Sequence, residues 1–144
     1  PVRAIRNHDF LYIRNFEPER WPAGTPDYLK AAIPYCWLGD CDNGPTKSYM
    51  VENMDRDGHH ARLYDLSFGK RPAEELYDCR KDPGQMLNLA ENPAYGEVRA
   101  KLEKQLMEQL ERTADPRSAS IEDYDFDAVP YLGQGPRHPS FMPE

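Results

Sequence analysis

Aliphatic residues are scarce in this chain. Leu, Ile, Val and Phe together supply under a fifth of its 144 residues, a share that at high charge usually accompanies disorder rather than a packed core. Nine tyrosines and two tryptophans work against that outcome, because large amphipathic rings bury much area and keep a polar edge for the surface. The expectation is a real fold with too little aliphatic mass to stand comfortably alone, docked on a larger body. No run of apolar residues is long enough for a membrane-spanning helix. Positive charge is also in deficit, 18 Lys and Arg against 25 Asp and Glu for a net of −7, so neither nucleic acid nor a membrane is expected as a partner. Cysteine is limited to Cys36, Cys41 and Cys79, an odd number with no C-x-x-C pair, which supports neither a zinc site nor a complete disulfide framework. Cys36 and Cys41 are near enough in sequence to bridge a local loop if the chain is exported, and Cys79 reads as a small hydrophobe in a strand. With no initiator Met and no apolar leader, the chain is expected to start within a longer protein.

What is present divides into recognisable elements. Val2–Arg6 and Phe10–Phe16 read as a β-hairpin closed by Asn7-His8-Asp9, with Phe10, Tyr12, Arg14 and Phe16 on one face and Leu11 and Ile13 on the other. Apolar groups on both faces predict cover on both sides. From Glu17 to Gly44, frequent Pro and Gly forbid long regular elements; only Pro26–Ile33 suits a short helix, with Thr25 as N-cap and Pro26 at its first position. This connection carries Arg20, Trp21, Trp37 and Asp40 and reads either as surface dressing or as a loop reaching a ligand. Thr46 to Met54 suits a turn or two of helix, broken at Asp55-Arg56-Asp57-Gly58. Neither Asp40-x-Asp42-Asn43-Gly44 nor Asp55-x-Asp57-Gly58 has the spacing of a calcium loop. His59 and His60 are adjacent and on a helix would diverge by about 100°, so they do not form a chelating pair.

The strongest helix signal runs from Asn92 to Arg112. Asn92 suits the N-cap and Pro93 the first turn, and Tyr95, Val98, Leu102, Leu106 and Leu110 make one apolar stripe. The stretch Gly69–Ala90 leads into it: Glu75–Cys79 alternates like a half-buried strand, Lys81-Asp82-Pro83-Gly84 turns the chain, and Asn88-Leu89-Ala90 hands it on. The fold class expected is α+β: a small antiparallel sheet of three to four strands packed by one long C-terminal helix, with long irregular loops. Residues 1–117 form the subdomain and 118–144 an extended tail, in which Tyr124, Phe126, Val129 and Tyr131 stand among acidic residues and prolines.

The string Glu75-Leu76-Tyr77-Asp78, then Asp82-Pro83, then Asn88-Leu89-Ala90 resembles the signature near the C-terminus of type I sulfatases, alkaline-phosphatase-like hydrolases of sulfate esters. Arg3 to Arg6 followed by Leu11-Tyr12-Ile13-Arg14-Asn15 resembles the hairpin that opens the same subdomain. Trp21-Pro22-Ala23-Gly24, Gly44-Pro45-Thr46-Lys47 and Thr113-Ala114-Asp115-Pro116-Arg117 look like further pieces of a bacterial, sulfamidase-like branch.

The resemblance implies catalysis by a Cys or Ser in a C-x-P-S-R-type string, oxidised to formylglycine and set beside calcium. None of the three cysteines here is followed by such a string, so no catalytic or metal-binding residue is expected in this chain. Formylglycine and calcium are expected in the rest of the parent protein. The chain would then be a non-catalytic portion whose partners are the N-terminal catalytic domain and a sulfated saccharide, exported as part of the parent. Arg14, Arg20 and Lys47 are the candidates for touching the anionic glycan, since guanidinium and ammonium groups pair well with sulfate oxygens. A stand-alone glycan- or protein-binding module is the alternative, and the tail suits a lid or a dimerisation arm, which would make the chain a homo-oligomer.

Overall fold

In the computed structural model, which describes residues 1–118 and 134–141, the chain forms two compact units, each interrupted in sequence. One comprises Pro1–Pro18 and residues 72–118; the other comprises Glu19–Arg71 and residues 134–141. The tail residues Tyr124, Phe126, Val129 and Tyr131 lie outside the described residues.

The first unit is the expected α+β arrangement. Strand β1 (Val2–Arg6) pairs antiparallel with β2 (Phe10–Asn15), which pairs antiparallel with β3 (Glu74–Asp78), in spatial order β1-β2-β3. The hairpin turn is fixed by Asn7, whose side-chain oxygen accepts from the backbone N–H groups of Asp9 (2.9 Å) and Phe10 (2.7 Å), the local bonding that suits Asn to turns. Register sets Ile5 opposite Tyr12 and Tyr12 opposite Leu76, so these three share the face that the long helix covers. Helix α3 (Gly96–Arg112) follows a short 3-10 turn, Pro93–Tyr95, capped by the Asn92 side chain at 3.0 Å from the Ala94 N–H. Leu102, Leu106 and Leu110 point from α3 onto Tyr12, Leu76, Leu89 and Ala90. Each buried leucine contributes about 1.5–3 kcal/mol by leaving water.

The second unit has little regular structure. Helix α1 (Pro45–Glu52) and helix α2 (Gly58–Phe68) pack with a loop around a core of Trp37 and Leu38 from the loop and Phe68 from α2. The helix expected over Pro26–Ile33 is absent; Asp27 instead closes a single turn, accepting the Leu29 N–H on its carboxylate (3.1 Å) and the Lys30 N–H on its carbonyl (3.0 Å). Such local side-chain bonds compete with helix propagation. Gly24, at φ 84°, is indispensable here because a Cβ would stand 2.8 Å from the Gly39 nitrogen. The segment Gly135–Phe141 runs back across this loop as a strap: Trp37 N–H donates to Pro136 O (3.0 Å) and His138 N–H to Tyr35 O (2.9 Å). His138 stacks on Tyr28 at 4.1 Å and Phe141 on Tyr35 at 4.2 Å between ring centres.

Helix α2 begins with a pH-sensitive cap. The Asp57 carboxylate accepts from the His60 N–H (2.9 Å) and pairs with His60 Nδ1 (2.7 Å), while His60 Nε2 meets the Tyr49 hydroxyl of α1 at 2.9 Å. The backbone N–H of His60, then its ring, hold the Asp57 pKa down at about 2 against an ordinary 3.8. A depressed carboxylate stabilises fully above its unfolded value and loses that contribution as pH falls through the folded one. Unfolding midpoints measured between pH 5 and pH 2 are therefore expected to drop below pH 4, and Asp57→Asn, which keeps the cap acceptor, is expected to flatten that part of the profile. An unchanged profile in the variant would assign the acid loss to other carboxylates.

Candidate functional site

The three cations singled out from sequence fall in different surroundings. Arg14 belongs to the sheet unit, where one guanidinium nitrogen lies 3.7 Å from Glu74 and 3.6 Å from Glu103. Glu74 is the centre of that group: it accepts from the Tyr12 hydroxyl (2.7 Å) and from Arg99 (2.7 Å). Burial and then the Glu74 carboxylate push the Tyr12 phenol well above its ordinary pKa, so it stays a donor. Arg14 thus balances two carboxylates between β2 and α3. Arg20 and Lys47 belong to the loop unit; Arg20 is exposed.

Lys47 is 3 % exposed, unusual for a lysine. Its ammonium donates to the carbonyls of Trp37 (2.5 Å), Cys41 (2.8 Å) and Leu38 (3.2 Å) and to the Asn43 side-chain oxygen (3.0 Å). It also lies 4.7 Å from the Trp37 ring centre, within cation–π range. An ammonium has three N–H donors, so these acceptors use its capacity and set the loop's shape. Burial lowers its pKa, and the nearby Cys41 and Asp42 pull it back up. Leu38, fully buried, adopts a left-handed φ of 46°, a conformation costing a non-glycine residue about 1–3 kcal/mol and sustained here by the cradle around Lys47.

Beside this cradle, wholly inside the loop unit, lies a cavity of about 540 Å³. Met50 and Phe68 give it an apolar floor, and Asp40, Asp42, Thr46 and Arg71 stand around it. Arg71 is oriented by the end of α2, donating to Leu66 O (2.5 Å) and Asp65 O (3.4 Å). Sequence reading noticed Lys47 but not the cavity, because its walls come from three segments that no local pattern joins. Among the described residues no group of three or more His, Cys, Asp or Glu side chains converges as metal ligands do, and no helix is long and apolar enough to cross a membrane. All three cysteines are free, with Cys36 buried.

Polar side chains of the Gly69–Ala90 stretch are engaged with backbone groups. The Asp78 carboxylate accepts the N–H groups of Arg80 (3.2 Å) and Lys81 (3.1 Å), and the Asp82 carboxylate those of Met86 (2.7 Å) and Leu87 (2.8 Å). Asn88 acts as a short surrogate strand on the edge of β3: its oxygen accepts from Leu76 N–H (2.9 Å) and Ala90 N–H (3.0 Å), and its amide donates to Glu74 O (3.1 Å). Tyr77 hydrogen-bonds Glu75. At the far end of the unit Arg3 Nε donates to Asp115 at 2.7 Å, joining the first strand to the turn after α3.

No family model matches the chain. The chain is 30 % identical over 105 residues to an ulvan-active sulfatase of Formosa agariphila, covering 73 % of this chain and 16 % of that protein. It is 26 % identical over 121 residues to a second ulvan-active sulfatase of the same organism, covering 84 % of this chain and 19 % of that protein. The chain therefore spans less than a fifth of the length of the curated relatives it matches, and over most of its own length it is similar to a portion of sulfatases.

Proposed function

We propose that this chain is the C-terminal, non-catalytic portion of a sulfatase of the alkaline-phosphatase-like superfamily, in its sulfamidase-like branch. Its parent hydrolyses sulfuric esters or sulfamates, with a sulfated glycan such as ulvan as the substrate class. The observation that carries this reading is the pairing of similarity over most of this chain with a small share of each sulfatase.

The role assigned to the chain is to complete the parent's fold and its substrate cleft. The face of the sheet away from α3 suits the first task. It carries Ala4, Leu11, Ile13 and Tyr77 by register, with Ala4 exposed and the other three only half-buried, apolar surface that a neighbouring domain would cover. Arg20, and the loop that Lys47 shapes, serve the second task; Arg14 supports it from the sheet. Formylglycine and calcium belong to the catalytic domain, and the parent is exported.

The test compares sulfate release from ulvan and from a chromogenic aryl sulfate, with calcium supplied, by the parent protein, by the parent lacking this portion, and by this chain alone. Release is expected from the parent and to be lost in the other two. Robust turnover by this chain alone, or full activity in the parent without it, would overturn the reading. Ile13→Glu in the parent is expected to cut the yield of soluble, active protein at least tenfold, measured as sulfate released per mass of total protein, because it places a charge on the covered face.

A further inference from the structure

The cavity of the loop unit has a build that neither the resemblance nor the comparisons assign to any ligand. Its volume, about 540 Å³, lies within the range of small-molecule sites. Met50 and the nearly fully buried Phe68 form an apolar floor, whereas the exposed carboxylates of Asp40 and Asp42 and the hydroxyl of Thr46 stand at its edge. That division matches a hexopyranose, which presents C–H groups on a ring face and hydroxyls around its perimeter. Arg71 adds a permanent positive charge to the wall, with its guanidinium direction set by the α2 carbonyls. The charge of Asp42 is balanced in part by the Lys47 ammonium nearby; Arg71 is the guanidinium of the wall, and its five N–H donors allow an anion to be bound beside the partners it already has.

We propose that this cavity holds one anionic hexopyranose unit of the glycan, with the ring face on Met50 and Phe68, ring hydroxyls donating to Asp40 and Asp42, and the anionic substituent paired with Arg71. The proposal rests on the sulfated-glycan reading above and extends it to a defined subsite. A sulfate ester and a uronate carboxylate share the chemistry that Arg71 recognises, and separate probes distinguish them.

The test is amide chemical-shift mapping of the isotope-labelled chain with glucose 6-sulfate, glucuronate, methyl glucoside and sodium sulfate. One or both anionic sugars are expected to shift the amides of Thr46, Met50 and Phe68 saturably, with methyl glucoside at least tenfold weaker. Arg71→Met is expected to bring the anionic sugars down to the methyl glucoside level. Because Arg71 also braces α2, a second variant is needed: Ser67→Phe, at an exposed cavity-lining position, fills the space and is expected to abolish the shifts while leaving the fluorescence-detected unfolding midpoint unchanged. Absence of saturable shifts with both anionic sugars, shifts that survive Ser67→Phe, or sodium sulfate alone reproducing the effect would overturn the proposal. Binding is read here without hydrolysis, so a silent cavity beside a parent that releases sulfate sinks the subsite alone. Sugar binding by a chain whose parent releases no sulfate sinks the sulfatase reading instead.

Discussion

Lys47→Met is expected to lower the stability of the loop unit by about 3 kcal/mol or more. The side chain keeps its length and apolar stem, so packing against Trp37 and the cavity floor survives. What is lost is the ammonium, and with it, among the described residues, the donor to the carbonyls of Trp37 and Cys41 and one of the two donors to the Leu38 carbonyl, which keeps the Cys41 N–H at 3.0 Å. A buried acceptor left without a partner costs about 1–3 kcal/mol, here at Trp37 and Cys41, and the left-handed turn at Leu38 is left with its backbone bonds to Thr25 and Cys41 alone. The measurement is direct because both tryptophans, Trp21 and Trp37, lie in this unit. A denaturant titration followed by tryptophan fluorescence should move to a clearly lower midpoint with little change in slope. Lys47→Arg keeps a cation but needs more room than the cradle allows, and should fall between the two with a loss of about 1–3 kcal/mol. Unchanged midpoints in both variants would mean that water can replace the ammonium, and that the cradle is not what shapes the loop.

How far the sequence revealed this architecture depends on the range of the interactions involved. The hairpin, β3 and the long helix rest on local alternation, an Asn turn and a leucine stripe; the strands were legible to within a residue at their ends, and the helix at its C-terminal end, whereas its expected first turn from Pro93 is a 3-10 turn and the α-helix begins at Gly96. In the loop unit only the short helix expected over Thr46 to Met54 was legible, and it stands as α1. Pro26–Ile33 carried good helix-start residues, but Asp27 bonds its own next residues and ends the turn at once. The return of Gly135–Phe141 onto Tyr28, Tyr35 and Trp37 joins residues about a hundred positions apart, and nothing periodic announces it. Lys47 drew attention as a cation for sulfate, whereas its burial among carbonyls depends on where Trp37 and Cys41 end up. The strings that suggested a sulfatase have local structural work in this fold: Arg3 meets Asp115, Gly24 fits against Gly39, Asp78 and Asp82 close turns, and Asn88 pairs with the edge of β3. A motif of this kind reports fold because its members satisfy particular partners in the structure, backbone groups at Asp78, Asp82 and Asn88 and a carboxylate at Arg3.

The same stretch predicts the largest effect in the sheet unit. Leu76 is completely buried, opposite Tyr12 in the register and beneath the leucine stripe of α3. Its backbone is also pinned on both sides, its N–H to Asn88 and its carbonyl to the Leu89 N–H at 2.8 Å. A residue held this firmly cannot shift to fill the space left by its own truncation, so Leu76→Ala should leave a cavity that neighbours close only in part. The expected loss is about 2–5 kcal/mol, enough to lower the thermal midpoint of helical circular dichroism, to which α3 contributes most, by more than about 10 °C. Asn88→Ala removes the three backbone bonds without touching the core. Asn88 is exposed, so water can re-satisfy part of what is lost, and the expected cost is smaller, about 1–3 kcal/mol. Combining the two discriminates between mechanisms: if Asn88 is what prevents relaxation around residue 76, the double variant will lose less than the sum of the single losses. Strict additivity would show instead that the cavity stays open for reasons internal to the sheet and α3, with the Asn88 turn contributing only its own hydrogen bonds.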